Sequence, residues 1–305
     1  MSDSPVDPLG LTAAPTADTP GLHRAAGCAP MIPLLIILAA LGAVILVPNL
    51  YSDPNGLDPY VLRASAVAVA IFALTMVVPR LAPARLVAVS LVVITLGWSA
   101  FTAAPTLLYD FGQFGLRDMS GDQGNLYGSE AWFGVTAVIL LIVAVVAGSD
   151  RPRLRVLQFG WSALWVSLAG IALLLLAVLL IPAPLLGREG LPVVAILRDA
   201  PWLVPANMLQ GLAQELQFRG LLLGSLERLT TPFQANLAQA VVFGLAHLAI
   251  VYQGPIAPFV PITAVLGFLL GLATQRTRSI WPAVIVHMVA DVVATLGVLP
   301  GLYGY

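Results

Sequence analysis

Long apolar stretches alternate along the chain with short polar segments that carry most of its arginines. Each apolar stretch approaches the roughly 20 residues that an α-helix needs to cross the hydrocarbon core of a bilayer. The pattern therefore predicts an all-α fold, a polytopic transmembrane helical bundle of about eight to nine spans. The nine predicted spans are Met31–Val47, Pro59–Val78, Leu86–Ala104, Ala131–Gly148, Gly160–Ile181, Trp202–Leu223, Leu237–Tyr252, Pro258–Thr274 and Ile280–Leu299.

The same pattern divides the chain into three regions. Residues 1–30 are rich in Pro, Ala, Asp, Ser and Thr and lack apolar periodicity, which predicts a disordered cytoplasmic tail. Residues 31–182 hold five spans without a recognisable chemical motif and are interpreted as an accessory transmembrane bundle. Residues 183–305 hold the spans that contain charged side chains and histidines, so we expect the functional domain there.

The arginines also indicate an orientation. Arg80 and Arg85, the three arginines of segment 151–155, Arg228, and Arg276 with Arg278 fall in alternate loops. Cytoplasmic loops carry an excess of basic residues, so this distribution predicts a cytoplasmic N-terminus and places the acidic loop Thr106–Glu130 outside. Arg117, Arg188 and Arg198 fall in the opposite loops, where they are outnumbered.

Composition agrees with a membrane protein and excludes several other classes. The chain is 59% hydrophobic and 10% charged, whereas about a quarter of the residues of a soluble domain are charged. A net charge of -1 gives no argument for a nucleic-acid partner. The single cysteine excludes a multi-thiolate metal site. All basic residues are arginine and alanine is abundant, which favours a bacterial plasma membrane as the location.

The sixth predicted span carries charge at membrane depth. Glu215 and Arg219 are four residues apart and can pair on one face of a helix. A charged residue inside the membrane is costly unless it is paired or faces a water-filled cavity, so both are functional candidates. Beside them runs a polar stripe, which on its own favours hydrogen bonding between helices. Its members are Asn207, Gln210, Gln214 and Gln217.

Two further spans bring histidines to the same depth. His247 lies in the seventh span, and His287 and Asp291 share a helix face in the ninth. At about 1.5 Å per residue, these groups and Glu215 lie roughly 10–16 Å from the cytoplasmic ends of their spans. Such side chains can bind Zn²⁺, hydrolyse a peptide bond or relay protons in a transporter. A transporter typically shows an internal repeat with paired broken helices, which is not seen in this sequence.

The motifs AQELQFRGLLLG, VVFGLAH and HMVAD resemble those of the CPBP intramembrane proteases, which include the CAAX prenyl endopeptidases and the bacteriocin-processing and immunity proteins. The resemblance covers roughly Trp202–Leu299. It implies a metalloendopeptidase that cuts a membrane-anchored protein or peptide near the cytoplasmic face of the bilayer. The resemblance implies catalytic roles for Glu215, His247, His287 and Asp291, and it places Gln214, Arg219 and Phe243 in the motifs.

The chain departs from the family pattern at Gln214, where the first motif has a glutamate that activates water. Glutamine cannot accept a proton at neutral pH, which leaves three interpretations. Glu215 acts as the base, the enzyme is slow, or the chain is a pseudoprotease that serves as an immunity or scaffold protein. The first requires Glu215 to loosen its pairing with Arg219, because adjacent residues point about 100° apart on a helix.

The departure also affects the expected metal site. A divalent cation such as Zn²⁺ would have His247, His287 and Asp291 as ligands and would lack a carboxylate from the first motif. We therefore expect zinc to be weakly bound or absent.

Overall fold

The computed structural model describes residues 59–111, 121–146, 154–186, 192–199, 201–247 and 259–303. The predicted tail 1–30 and the predicted span Met31–Val47 lie outside these ranges. All regular elements within the described ranges are helical, which confirms the predicted all-α bundle.

The first half of the described chain forms four long helices and two short ones. Helix α1 spans Pro59–Val77, and a 3₁₀ segment over Pro79–Ala84 leads into α2, Arg85–Phe111. They are followed by α3 (Gly121–Val146), α4 (Trp161–Leu180), α5 (Pro182–Leu186) and α6 (Val193–Asp199).

The second half contains the helices that carry the predicted motifs. Helix α7 spans Leu203–Glu215 and continues as a π-helix over Leu216–Leu223 and a helical turn over Gly224–Leu226. The remaining helices are α8 (Pro232–Ala246), α9 (Phe259–Thr277) and α10 (Trp281–Tyr303).

Eight of the nine predicted spans coincide with helices, but several boundaries differ for local reasons. Helix α8 begins five residues before the predicted Leu237, because Thr231 and Gln234 form a capping box and Pro232 occupies the first turn. Helix α3 begins at Gly121, so α2 and α3 take up both ends of the predicted loop Thr106–Glu130. A prediction based on runs of apolar residues misses a helix end that is formed by polar residues.

Six of the helical segments fall into two groups by length and composition. Within the described ranges, three helical segments are long and apolar enough to cross a membrane, namely Pro79–Phe101, Trp161–Leu180 and Phe259–Thr277. Shorter apolar helices cover Ser65–Val77, Ser129–Val143 and Trp281–Gly297. Helices α7 and α8 belong to neither group; α7 carries the buried Gln214 and Glu215, and α8 carries the buried Asn236 and Gln239. The total of nine spans stays a prediction.

The core sits where the N-terminal and C-terminal helices meet. Helix α2 packs against α1, α3 and the π-helix, while α7 packs against α3 and α10. One continuous cluster of buried apolar side chains includes Leu91 and Trp98 of α2, Trp132 of α3 and Phe243 of α8. Helix α4, by contrast, exposes Leu179 and most of its other leucines, as expected of a lipid-facing helix. Residues of the π-helix are therefore enclosed on several sides.

Helices α8 and α9 approach closely at glycines. A Cβ atom added to Gly267 would lie 2.8 Å from Cδ1 of Phe243, and one added to Gly244 would lie 2.7 Å from Cβ of Ala264. Gly271 likewise faces the side chain of Asn236. These contacts place Gly267 and Gly271 in packing within the chain.

Candidate active site

The site begins where α7 changes from an α-helix to a π-helix. The change occurs directly after Glu215, and the π-helix contains Arg219. Residues Gln217 to Leu223 are all buried. π-helical segments are rare and occur frequently at functional sites.

Glu215 and Arg219 form an ion pair that is fully buried. Arg219 Nη1 donates to Glu215 Oε1 over 2.7 Å, and neither side chain is exposed. The other terminal nitrogen, Nη2, donates to the carbonyl oxygen of Gly267 over 3.0 Å. The guanidinium carbon lies 4.3 Å from the centroid of the Phe243 ring. The pairing predicted from the spacing is present, and it also joins the π-helix to α8 and α9.

The same carboxylate oxygen also contacts His287. His287 Nδ1 lies 2.6 Å from Glu215 Oε1, a contact between α10 and α7 that the sequence pattern did not predict. Oε1 thus binds both cationic partners. The second oxygen, Oε2, is buried and has no hydrogen-bond partner within the described part of the chain. Glu215 therefore keeps one oxygen available without giving up its pairing with Arg219.

His287 lies between two carboxylates. Its Nε2 is 3.3 Å from Asp291 Oδ1, one helical turn further along α10. An imidazolium donates from both ring nitrogens, so this is the form that satisfies Glu215 and Asp291 together. With His287 in this form, two cationic and two anionic groups balance inside the bundle, as buried charges require.

His247 takes a different form. It directly follows α8, and its Nδ1 lies 2.7 Å from the carbonyl oxygen of Phe243. A carbonyl oxygen only accepts, so Nδ1 carries the proton and, in the neutral ring, Nε2 carries the lone pair. The two predicted site histidines thus differ, since only His247 offers a basic nitrogen.

The ring of Phe243 joins these groups into one site. Its centroid lies 4.5 Å from that of His247 and 5.5 Å from that of His287, both in edge-to-face arrangements. Trp98 of α2 also contacts the edge of the His247 ring, with centroids 6.3 Å apart. The structure therefore brings Arg219, His247 and His287 around Phe243, and Glu215 and Asp291 contact His287.

Gln214 differs from the other amides of the predicted stripe. Asn207 donates to the carbonyl oxygen of Leu203, and Gln217 donates to Thr136 of α3. Gln214 is 1% exposed, and neither of its amide atoms has a partner among the described residues. An unsatisfied buried polar atom costs about 1–3 kcal/mol. A ligand or water that both donates and accepts hydrogen bonds would satisfy this amide.

Sequence reasoning missed a polar cluster on the far side of Arg219. Gln239 Nε2 donates to the Gly267 carbonyl oxygen that also receives Arg219, and to Asn236 Oδ1. Asn236 Nδ2 in turn donates to the carbonyl oxygen of Phe268. The signal in the sequence was the pair of amides three residues apart on α8, of which Asn236 precedes the predicted span.

The arrangement of donors does not fit a cation held by His247, His287 and Asp291. Both ring nitrogens of His287 face carboxylate oxygens, so this ring offers no lone pair. Among the residues that the structure describes, no group of three or more His, Cys, Asp or Glu side chains is arranged to hold a metal ion. That zinc is weakly bound or absent stays a prediction.

Two comparisons with known proteins gave matches. Residues 196–293 match the family model for type II CAAX prenyl endopeptidase Rce1-like proteins. Over 212 residues the chain is 26% identical to a protein of Bacillus subtilis (strain 168) described as "Putative membrane peptidase YdiL". That alignment covers 65% of this chain and 82% of the relative. No solved structure is significantly similar to the chain.

The matched segment contains the helices that carry the three motifs and the charged cluster. A helical membrane bundle with this site and these relatives defines a class, the CAAX-protease-like membrane peptidases. The two matches support a CPBP family protein.

Proposed function

We propose that this protein is an intramembrane endopeptidase that hydrolyses a peptide bond of a membrane-anchored protein or peptide near the cytoplasmic face. The proposal is carried mainly by the geometry of Glu215. Its Oε1 is held by Arg219 and His287, while Oε2 has no partner in the described chain. A carboxylate that is fixed in place by one oxygen can receive a proton on the other.

Two bases are available for the attacking water in this proposal. Glu215 Oε2 accepts the proton, and His247 Nε2 orients the water or accepts the proton in its place. Such general bases typically contribute 10²–10⁴-fold to a rate. Gln214 in place of the family's glutamate removes one proton acceptor, and the neighbouring Glu215 provides another.

His287 and Asp291 would stabilise the transition state. Negative charge develops on the carbonyl oxygen of the peptide when water attacks, and a positioned cationic donor stabilises that charge in a site of low dielectric constant. The His287 imidazolium would act through its positive charge, because its two N–H groups already donate to Glu215 and Asp291.

Gln214 would bind the substrate backbone. A peptide group presents one acceptor and one donor, which complement the Nε2 and Oε1 atoms that have no partner in the described chain. This role is compatible with an amide at a position where the family has a carboxylate.

The proposal is tested by cleavage of a panel of membrane-anchored peptides. We expect the wild type to cut, and Glu215→Gln to lose about 100-fold or more in kcat/KM, because the amide still accepts hydrogen bonds but takes no proton. His247→Ala should lose activity to a similar degree. Glu227→Gln is the matched control, since Glu227 is paired with Arg155 away from the site. Equal cleavage by wild type and Glu215→Gln would refute the proposed base.

A second candidate function is supported by Gln214 itself. If the amide prevents catalysis, the chain is a pseudoprotease that binds segments as an immunity or scaffold protein. Cleavage by Gln214→Glu, with none by the wild type, would favour this candidate over ours. Gln210→Glu provides the control, because it places the same carboxylate one turn earlier on the same helix face.

A further inference from the structure

A cavity lies away from the candidate active site. It has a volume of about 690 Å³ and is formed by α1, α2, α3 and the chain that follows the π-helix. Its walls include Phe72 and Met76 of α1, Leu86 and Val89 of α2, and Ile139 and Ile142 of α3. None of the residues that line it belongs to the Glu215 and His287 cluster. A ligand in this cavity would therefore not contact the proposed catalytic residues.

The walls change from charged to apolar along the cavity. Arg85 is the first residue of α2, and Arg228 lies two residues beyond the helical turn that ends at Leu226. Both arginines are exposed and line the cavity. Val92 also lines it and is seven residues further along α2 than Arg85, a distance of about 10 Å along the helix axis. The charges thus lie at helix ends, and the apolar walls extend towards the helix middles.

Among the described residues that line the cavity, none has an acidic side chain. Glu227, which does not line the cavity, pairs with Arg155, with Arg155 Nη2 2.6 Å from Glu227 Oε2. Two positive charges at the entrance and apolar walls beyond it complement a ligand with an anionic head and a hydrocarbon tail.

We propose that this cavity binds an anionic phospholipid, with its phosphate at Arg85 and Arg228 and an acyl chain along Val89 and Ile139. Basic pockets between transmembrane helices bind anionic headgroups in this manner. A zwitterionic lipid would gain less affinity from the two guanidinium groups, because its headgroup has no net charge, and an apolar segment of another chain would gain none. The proposal is independent of proteolysis, because none of its residues belongs to the proposed catalytic machinery.

The test compares lipid binding by full-length protein that has been purified in detergent and delipidated. Phosphatidylglycerol and phosphatidylcholine with the same acyl chains are titrated, and bound lipid is counted by native mass spectrometry. Each arginine near an anionic headgroup increases the affinity about fivefold. We therefore expect the wild type to bind phosphatidylglycerol about thirtyfold more tightly than phosphatidylcholine. The double variant Arg85→Gln, Arg228→Gln should bind the two lipids equally.

Matched variants separate the contributions of charge and shape. Arg276→Gln removes an exposed arginine that does not line the cavity, and it should keep the full preference. Val89→Trp fills the cavity with the arginines intact, and it should weaken binding of both lipids. If the double variant fails to fold, as judged by size-exclusion chromatography and circular dichroism, the single arginine variants and Val89→Trp still decide the question.

Three results would overturn the proposal. The first is equal affinity of the wild type for the two lipids, which would indicate a neutral or purely apolar occupant. The second is an unchanged preference in the double variant. The third is thermal stabilisation by inorganic phosphate that equals stabilisation by phosphatidylglycerol, which would show that the apolar walls bind no acyl chain.

Discussion

Arg219 makes three different contacts through one planar group. Its guanidinium donates to Glu215 and to the Gly267 carbonyl oxygen, and it lies over the Phe243 ring. Arginine suits this position because its fork of donors is rigid and its flat faces stack on aromatic rings. The residue therefore connects helices α7, α8 and α9 at the site.

Removal of Arg219 should destabilise the protein strongly. In Arg219→Ala, Glu215 stays buried beside His287 and loses the partner that is always charged, a change that typically costs about 3–5 kcal/mol. Arg219→Lys should recover only part of the loss, because an ammonium cannot reproduce the fork or the stacking. Denaturant unfolding in detergent micelles measures both variants, with Arg276→Gln as an exposed control. A loss below about 1 kcal/mol in Arg219→Ala would contradict the structural role.

Asp291 should contribute to activity more than to stability. Its side chain is 19% exposed and contacts His287 through one oxygen. Asp291→Asn keeps a group that accepts from His287 but removes the negative charge that favours the imidazolium. We expect kcat to fall while KM and the unfolding midpoint change little. An unchanged kcat would show that Asp291 does not support His287 during catalysis.

Spacing along a helix predicted some of these residue contacts and missed others. The four-residue intervals between Glu215 and Arg219, and between His287 and Asp291, correspond to contacts that the structure contains. The contact of Glu215 with His287 joins residues 72 positions apart, so helical periodicity contains no information about it. Nor does periodicity indicate that Arg219 and His287 share one carboxylate oxygen.

At the scale of elements, the approach of α8 to α9 controls the position of Phe243. Gly267 allows the Phe243 ring to lie against the backbone of α9, and its carbonyl oxygen receives Arg219 and Gln239. Small residues at helix interfaces in membranes allow such close contact. A larger residue at Gly267 would move the ring that both site histidines contact.

Gly267→Ala should therefore destabilise the protein and reduce peptide cleavage. Its Cβ would lie 2.8 Å from Phe243 Cδ1, and the buried ring has to shift, which typically costs about 1–3 kcal/mol. Gly134→Ala on α3 is the matched control, because no atom lies within 4 Å of the added Cβ. That control should be neutral or stabilised by up to about 1 kcal/mol through helix propensity. Equal thermal unfolding of the two variants would contradict the proposed close packing.

The π-helix is the element that sequence reasoning did not anticipate. The apolar pattern of Trp202–Leu223 predicts a single α-helix, whereas the structure changes to a π-helix over Leu216–Leu223. Hydrophobic periodicity over so few residues does not separate a π-helix from an α-helix. The surrounding helices decide the difference, since Gln217 donates to Thr136 of α3 and to the Val93 carbonyl oxygen of α2.

At the scale of the whole molecule, the predicted accessory bundle supports the site directly. The rings of Trp98 and Trp132 are in tilted contact with centroids 4.3 Å apart, and Trp98 contacts His247. The apolar core that contains both tryptophans also contains Phe243. The boundary near residue 182 was predicted from the absence of motifs before it, and this core extends across that boundary.

We expect residues 183–305 to be unstable when they are expressed without the preceding bundle. Separation would expose the apolar surface that α7, α8 and the π-helix bury against α2 and α3. Size-exclusion chromatography in detergent and limited proteolysis should show aggregation and rapid degradation. Co-expression with residues 1–182 should restore a protease-resistant complex. A monodisperse, resistant C-terminal fragment would show that the domain folds alone.

The amino-acid sequence by itself determined the class of fold, the approximate position of eight described helices and the residues on which the site depends. These properties follow from hydrophobic length and from the high cost of charge in a membrane, both of which are local. The tertiary structure decided which atoms of those residues meet. In the tertiary structure one oxygen of Glu215 contacts both Arg219 and His287, and Trp98 lies beside His247. Such contacts join distant parts of the chain, and the packing of whole helices determines them.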